Sequence, residues 1–202
     1  MRQWVTYFDN FYNNPNVIID IENRQIFNVF KSLDLSGKKY LDYGCGVGYW
    51  TWIINDLLVN GQTIGVDISE ECINICKTRY PAIKFFCVNE NGWVQKYDLI
   101  TLMWVLQEIT CIDELNFILR KLASFLDKDG VIFVVENQFP SKRKLLSKTC
   151  YGGLFEDKEV GCLYFFDNST LSEPMNNCGL YLSDKYKTEY SYVEKYKFAC
   201  KK

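Results

Sequence analysis

Histidine is absent from the chain, and none of its nine cysteines stands in a close C-x-x-C pair. Structural zinc sites draw on those residues at such spacings, so a zinc site is not expected. The cysteines are odd in number and scattered, which fits free thiols in a reducing compartment, the cytoplasm with the nucleus left open. Cys72 and Cys76 are spaced i,i+4 and read as one packed helix face. Proline is scarce, with four in 202 residues, and no low-complexity stretch or repeat is visible. A linker between domains is therefore not expected, and a single domain spanning 1–202 is. No apolar run reaches the roughly 18 to 20 residues of a membrane span, and the first ten residues are aromatic and polar, so neither a membrane partner nor a secretory leader is expected. The formal charge of −2 gives no footprint for phosphate neutralisation, and nucleic acid is not an expected partner. The one basic run, Lys142-Arg143-Lys144, reads as a solvated loop or helix start.

What is present is alternation. Lys39 to Tyr43, Thr63 to Asp67, Ile83 to Val88, Asp98 to Met103 and Val131 to Glu136 are apolar runs of strand length. Trp50 to Val59, Glu70 to Arg79 and Ile112 to Leu126 carry helical patterns between them, and Asp127 to Gly130 reads as a turn. Such β-α alternation predicts a parallel sheet with right-handed crossovers. After a helix over Thr170 to Cys178 and a C′ glycine at Gly179, Leu180 to Tyr186 and Tyr190 to Ala199 are β-rich and predict a closing antiparallel pair. The expected fold is α/β: a Rossmann-like, doubly wound, seven-stranded sheet, mostly parallel with an antiparallel C-terminal strand pair. Two segments escape the pattern. Met1 to Ile21 is aromatic and reads as a lid or docking segment, and 137–168 reads as a long substrate loop.

The chemistry concentrates in Leu41-Asp42-Tyr43-Gly44-Cys45-Gly46-Val47-Gly48, which ends a strand and opens a helix. Glycines there let the backbone approach a ligand and turn amides outward. A dinucleotide fingerprint would place its third glycine at position 49, where the chain has Tyr49, so a different nucleoside-like ligand is favoured. Some twenty residues on, Asp67 ends the second strand, where a carboxylate accepts both hydroxyls of a ribose. Ile68 beside it is suited to cover an adenine face.

On Asp42, Gly44, Gly46, Gly48 and Asp67 the chain resembles class I S-adenosylmethionine-dependent methyltransferases over roughly 39–136. The resemblance implies S-adenosyl-L-methionine as cofactor and S-adenosyl-L-homocysteine as product, with Asn89 near the adenine and Met103 at the end of a fourth-strand motif that faces the transferred methyl. A narrower likeness is to the α-N-terminal methyltransferases of Xaa-Pro-Lys proteins, carried by Ile19-Asp20-Ile21, Phe86-Cys87, Trp104-Val105, Glu136-Asn137 and Phe155-Glu156-Asp157-Lys158-Glu159. It implies Asn137 and Glu159 as catalytic residues, and Trp104 and Glu156 as substrate-binding ones. Glu108 stands where that family has histidine, Tyr49 where it has arginine and Met103 where it has glutamine.

Methyl transfer from a sulfonium is a direct displacement, so alignment rather than a protein nucleophile is required. An α-amine with a pKa of about 7.7 to 8.0 needs only about 1 kcal/mol to be neutral at pH 7, against more than about 4 for a lysine near 10.4. A histidine-free site suits the former, with Asn137 orienting the amine and Glu159 or Glu108 receiving its proton. The expected substrate is a peptide or protein N-terminus met by a monomer. Two alternatives stand beside it, a small-molecule O- or N-methyltransferase and a non-catalytic cofactor-binding or interaction protein, because this scaffold hosts many substrates.

Overall fold

The computed structural model describes residues 25–109, 111–137, 145–149, 152–157, 161–166, 171–187 and 191–199; for 137, 145–149, 152–157 and 161–166 the description is of the backbone. Met1 to Ile21, the basic run at 142–144 and Glu159 lie outside the described residues. The strands are β1 (Lys39–Tyr43), β2 (Gln62–Asp67), β3 (Lys84–Cys87), β4 (Tyr97–Met103), β5 (Leu126–Asn137), β6 (Leu145–Thr149), β7 (Gly152–Asp157), β8 (Gly161–Phe166), β9 (Leu180–Lys187) and β10 (Ser191–Phe198). The helices are α1 (Gln25–Lys31), α2 (Tyr49–Asn55), α3 (Glu70–Arg79), α4 (Ile112–Phe125) and α5 (Ser172–Asn177).

Seven strands form one sheet in the order β3-β2-β1-β4-β5-β10-β9. β1 pairs β2 and β2 pairs β3 in parallel, whereas β10 runs antiparallel to both β5 and β9. The expected mostly parallel sheet with an antiparallel C-terminal pair is therefore what the chain forms. Successive strands step from β1 to β3 on one side, then resume on the other side of β1 with β4. That reversal is the topological switch point outside whose strand carboxyl ends ligands of doubly wound sheets bind.

The chain makes two compact units, Met1–Leu99 and Ile100–Lys202. In the first, Tyr40 and Leu41 of β1, Ile64 and Val66 of β2, Ile54 of α2 and Ile73 of α3 are all buried. Each such side chain contributes roughly 1.5 to 3 kcal/mol when withdrawn from water, an upper range that chain ordering offsets. Ser69 starts α3 by accepting the Cys72 N–H on its hydroxyl at 3.3 Å, with Glu70 and Glu71 in the first turn and Lys77 and Arg79 in the last. Those charges complement the helix dipole at both ends. In the second unit, Leu115, Leu119 and Leu122 recur on the buried stripe of α4, and Ile132 to Val135 of β5 are buried in succession, as in a strand covered on both faces.

Three expectations change. The predicted turn at Asp127 to Gly130 is extended backbone within β5, since α4 stops at Leu126 (ψ 136°) and the exposed Asp127, Lys128 and Asp129 are solvated without a turn. The helix expected to reach Val59 ends at Asn55, ahead of a bend in which Asn60 takes φ 57°. The long loop expected over 137–168 instead holds a three-stranded antiparallel sheet, β6-β7-β8, in which Gly161–Phe166 follows the β propensity of its aromatic residues.

Candidate functional site

The turn after β1 is built on three glycines in the left-handed region: Gly44 at φ 81°, Gly46 at 53° and Gly48 at 81°. Only glycine enters that region without a steric penalty of roughly 1 to 2 kcal/mol. Their surroundings separate them. A Cβ on Gly48 would meet Cys76 Sγ at 2.9 Å and the Tyr80 ring at 3.1 Å, so this glycine lets α2 start against α3. A Cβ on Gly46 would meet nothing within 4 Å, so the space before that residue is open to a ligand. The Gly44 and Cys45 N–H groups both donate to Val66 O, at 2.7 and 3.0 Å, and fasten the turn to β2. Asp42, only 1% exposed, accepts the Thr51 hydroxyl at 2.6 Å and ties the end of β1 to α2.

Asp67 is half-buried at the end of β2. One carboxylate oxygen accepts the Gly46 N–H at 2.8 Å and the other the Ser69 N–H at 2.9 Å. An ionised carboxylate has about four acceptor sites, so roughly two remain for hydroxyl groups of a ligand. Ile68, 75% exposed, stands next to it as an uncovered apolar surface. Asn89 is exposed in the turn after β3. An open approach at Gly46, spare acceptor capacity on Asp67 and a bare Ile68 fit the nucleoside of a sulfonium cofactor.

The second unit carries a different cluster at the carboxyl end of β4. Met103 is buried, and the half-buried Trp104 takes φ 57°, the left-handed region for a bulky residue. The Trp104 N–H donates to Val135 O at 2.7 Å, and the Leu106 N–H donates to Glu136 Oε1 at 2.7 Å. Glu136 is 2% exposed, and burial pushes its carboxyl up to about 8; the Leu106 and Val105 N–H bonds work against that rise and the charge of Glu108 adds to it. Glu108 is exposed on a 3-10 turn, Leu106–Glu108, with its pKa raised by partial desolvation. Asn137 is the last residue of β5, and Glu156 lies in β7 opposite Cys162.

Within the first unit, the structure thus brings together Gly44, Gly46, Gly48, Asp67 and Ile68, with Asp42 bracing them from beneath. Within the second it sets Met103 and Trp104 beside β5. The residue that sequence reasoning passed over is Glu136. Its signal was legible, a lone acid closing the apolar run Val131-Ile132-Phe133-Val134-Val135.

Fold and cradle together define a doubly wound methyltransferase. The chain belongs to the family described as "Methyltransferase domain", whose model matches residues 21–184. Among curated proteins it is similar to the malonyl-[acyl-carrier protein] O-methyltransferase of Acetivibrio thermocellus, 26% identical over 137 residues, and it spans 46% of that relative's length while the match covers 62% of this chain. A Pyrococcus horikoshii protein superposes with a TM-score of 0.74 at 17% identity, over 92% of this chain and 93% of its own. The S-adenosylmethionine-bound amino pentose methyltransferase CalS10 of Micromonospora echinaspora does so at 0.62 and 12%, over 84% and 88%. At such identities the two structures show the fold alone.

Proposed function

We propose that this methyltransferase acts on a small molecule, and that its acceptor atom is an oxygen already ionised at neutral pH, a carboxylate. The cofactor supplies an electrophilic methyl on a sulfonium. Asp67 holds the sugar, Ile68 covers the base, and Gly46 admits the ligand to the backbone. An alcohol would need a base to remove its proton, whereas a carboxylate with a pKa near 4 needs none. That suits a chain without histidine whose best-placed described acid, Glu136, is committed to backbone N–H groups. The observation that carries the acceptor reading is the similarity to the malonyl-[acyl-carrier protein] O-methyltransferase, named for oxygen methylation of a malonyl group.

A free α-amine is the second reading. It is favoured by Asn137 at the last position of β5, where a side-chain carbonyl would orient an amine, and by the raised pKa of Glu108, which improves it as a proton acceptor. In this reading Glu159 and Glu156 keep the roles that the N-terminal methyltransferases imply for them. One assay separates the two. Labelled methyl transfer to malonyl thioesters and short free acids, run beside Xaa-Pro-Lys peptides and their acetylated forms, is expected to yield a base-labile ester. Base-stable label on the unacetylated peptide alone would reverse the order of the readings.

A further inference from the structure

We infer that Glu136 is a positioning residue for methyl transfer: its carboxyl holds the Val105 and Leu106 main chain so that Trp104 is kept in its left-handed conformation as one wall of the acceptor's site.

Three successive N–H groups after β4 are taken up by two neighbouring residues of β5. Trp104 donates to the Val135 carbonyl, and Val105 and Leu106 donate to the Glu136 side chain. The backbone passes from φ 57° at Trp104 to φ −90°, ψ −39° at Val105. A left-handed residue followed by a right-handed one turns consecutive amides into a concave nest that receives an anion or a carboxyl oxygen. Here the occupant is the protein's own acid, almost wholly withdrawn from water. An acid so buried, together with a left-handed tryptophan, strains the fold at two points, and such strain persists where the surroundings over-determine it and where function uses it. Both residues stand at carboxyl ends of adjacent strands, the end at which doubly wound sheets bind their ligands. Trp104 is half-buried, unlike the fully enclosed residues of the strand before it.

The inference rests on the reading above only in requiring that some acceptor be methylated. It is therefore tested with whichever acceptor the panel identifies, so that a failure of carboxylates and a failure of this inference are separate results. Glu136→Gln keeps a carbonyl oxygen for the two N–H groups and is expected to hold acceptor KM within about threefold of wild type. Glu136→Leu removes the acceptor oxygen, and should raise acceptor KM by at least about tenfold while cofactor Kd stays within about twofold. Trp104→Ala should do the same, and Glu136→Leu added to it should bring little further loss, since the two act as one unit. If Glu136→Leu does not fold, Glu136→Asp replaces it; one carbon shorter, it should show the same rise in KM. An unchanged KM in Glu136→Leu or Glu136→Asp, equal losses in the Gln and Leu variants, or fully multiplicative losses in the double variant would overturn the assignment.

Discussion

At the scale of single residues, Asp67 holds the turn through Gly46 and the helix entry through Ser69, and it keeps further acceptor capacity, which the proposed function gives to the cofactor sugar. Hydrogen bonds to a charged group contribute roughly 1.5 to 3 kcal/mol each, so Asp67→Ala is expected to weaken S-adenosylmethionine binding by about 10- to 100-fold in calorimetry. Trp104 gives a test of backbone strain alone. Trp104→Gly and Trp104→Ala both lose the indole, but the left-handed φ favours glycine, so the glycine variant should be the more stable by about 1 kcal/mol in urea titration, the reverse of the usual order in regular structure. Glu136 adds a pH dependence. Unfolded, its carboxyl dissociates near pH 4.3; folded, it keeps its proton to about 8, so between those values the native state holds the extra proton and stability falls as pH rises. Glu136→Gln should abolish that decline, and between pH 5 and 8.5 wild type should lose about 3 to 4 kcal/mol that the variant retains, read from denaturation midpoints at the two pH values. The identity of Asp67 and of the glycines was legible because their chemistry lies in residue type and spacing. The task of Glu136 was not, because a sequence shows an acid within an apolar strand without showing which amides it meets.

At the scale of elements, the turn between β1 and α2 separates packing from ligand approach. Gly48→Ala must accept both φ 81° and a Cβ 2.9 Å from Cys76 Sγ, and should destabilise the fold by about 2 to 4 kcal/mol in thermal or urea unfolding. Gly46→Ala has open space around its Cβ, so it should cost only about 1 to 2 kcal/mol of stability and reduce cofactor affinity out of proportion to that loss. β1 and α3 occupy the spans their patterns predicted, Lys39–Tyr43 and Glu70–Arg79, because each is bounded by strong local signals: a glycine turn at one, a serine cap and opposed end charges at the other. The small sheet β6-β7-β8 was illegible for the opposite reason. Its strands are five or six residues long and follow one another through short connections, Thr149 pairing Gly152 and Asp157 pairing Gly161, so each run is too brief and too mixed for a local periodicity to mark it.

At the scale of the whole molecule, the mostly parallel, doubly wound character of the main sheet followed from the alternation of strand and helix, since right-handed crossovers leave few ways to lay such a chain down. The acceptor was not legible at this scale, because the same sheet presents many different loops to many substrates. Cofactor binding should be visible in global stability. A ligand at about 100 times its Kd adds about 2.7 kcal/mol, which for a chain of this size corresponds to a rise in Tm of roughly 5 to 10 °C; S-adenosylmethionine and S-adenosylhomocysteine should each give it, and Asp67→Ala should lose most of it. The rim of the sheet has its own consequence. β9 ends the order of strands and leaves Tyr181, Leu182 and Tyr186 uncovered, yet it interposes Asp184, Lys185 and Lys187, with Lys185 reaching the buried Glu194 of β10 at 2.6 Å. Cationic side chains along an open border discourage a foreign backbone from docking there and propagating into fibrils, so these lysines act as wardens of colloidal behaviour, quite apart from methyl transfer.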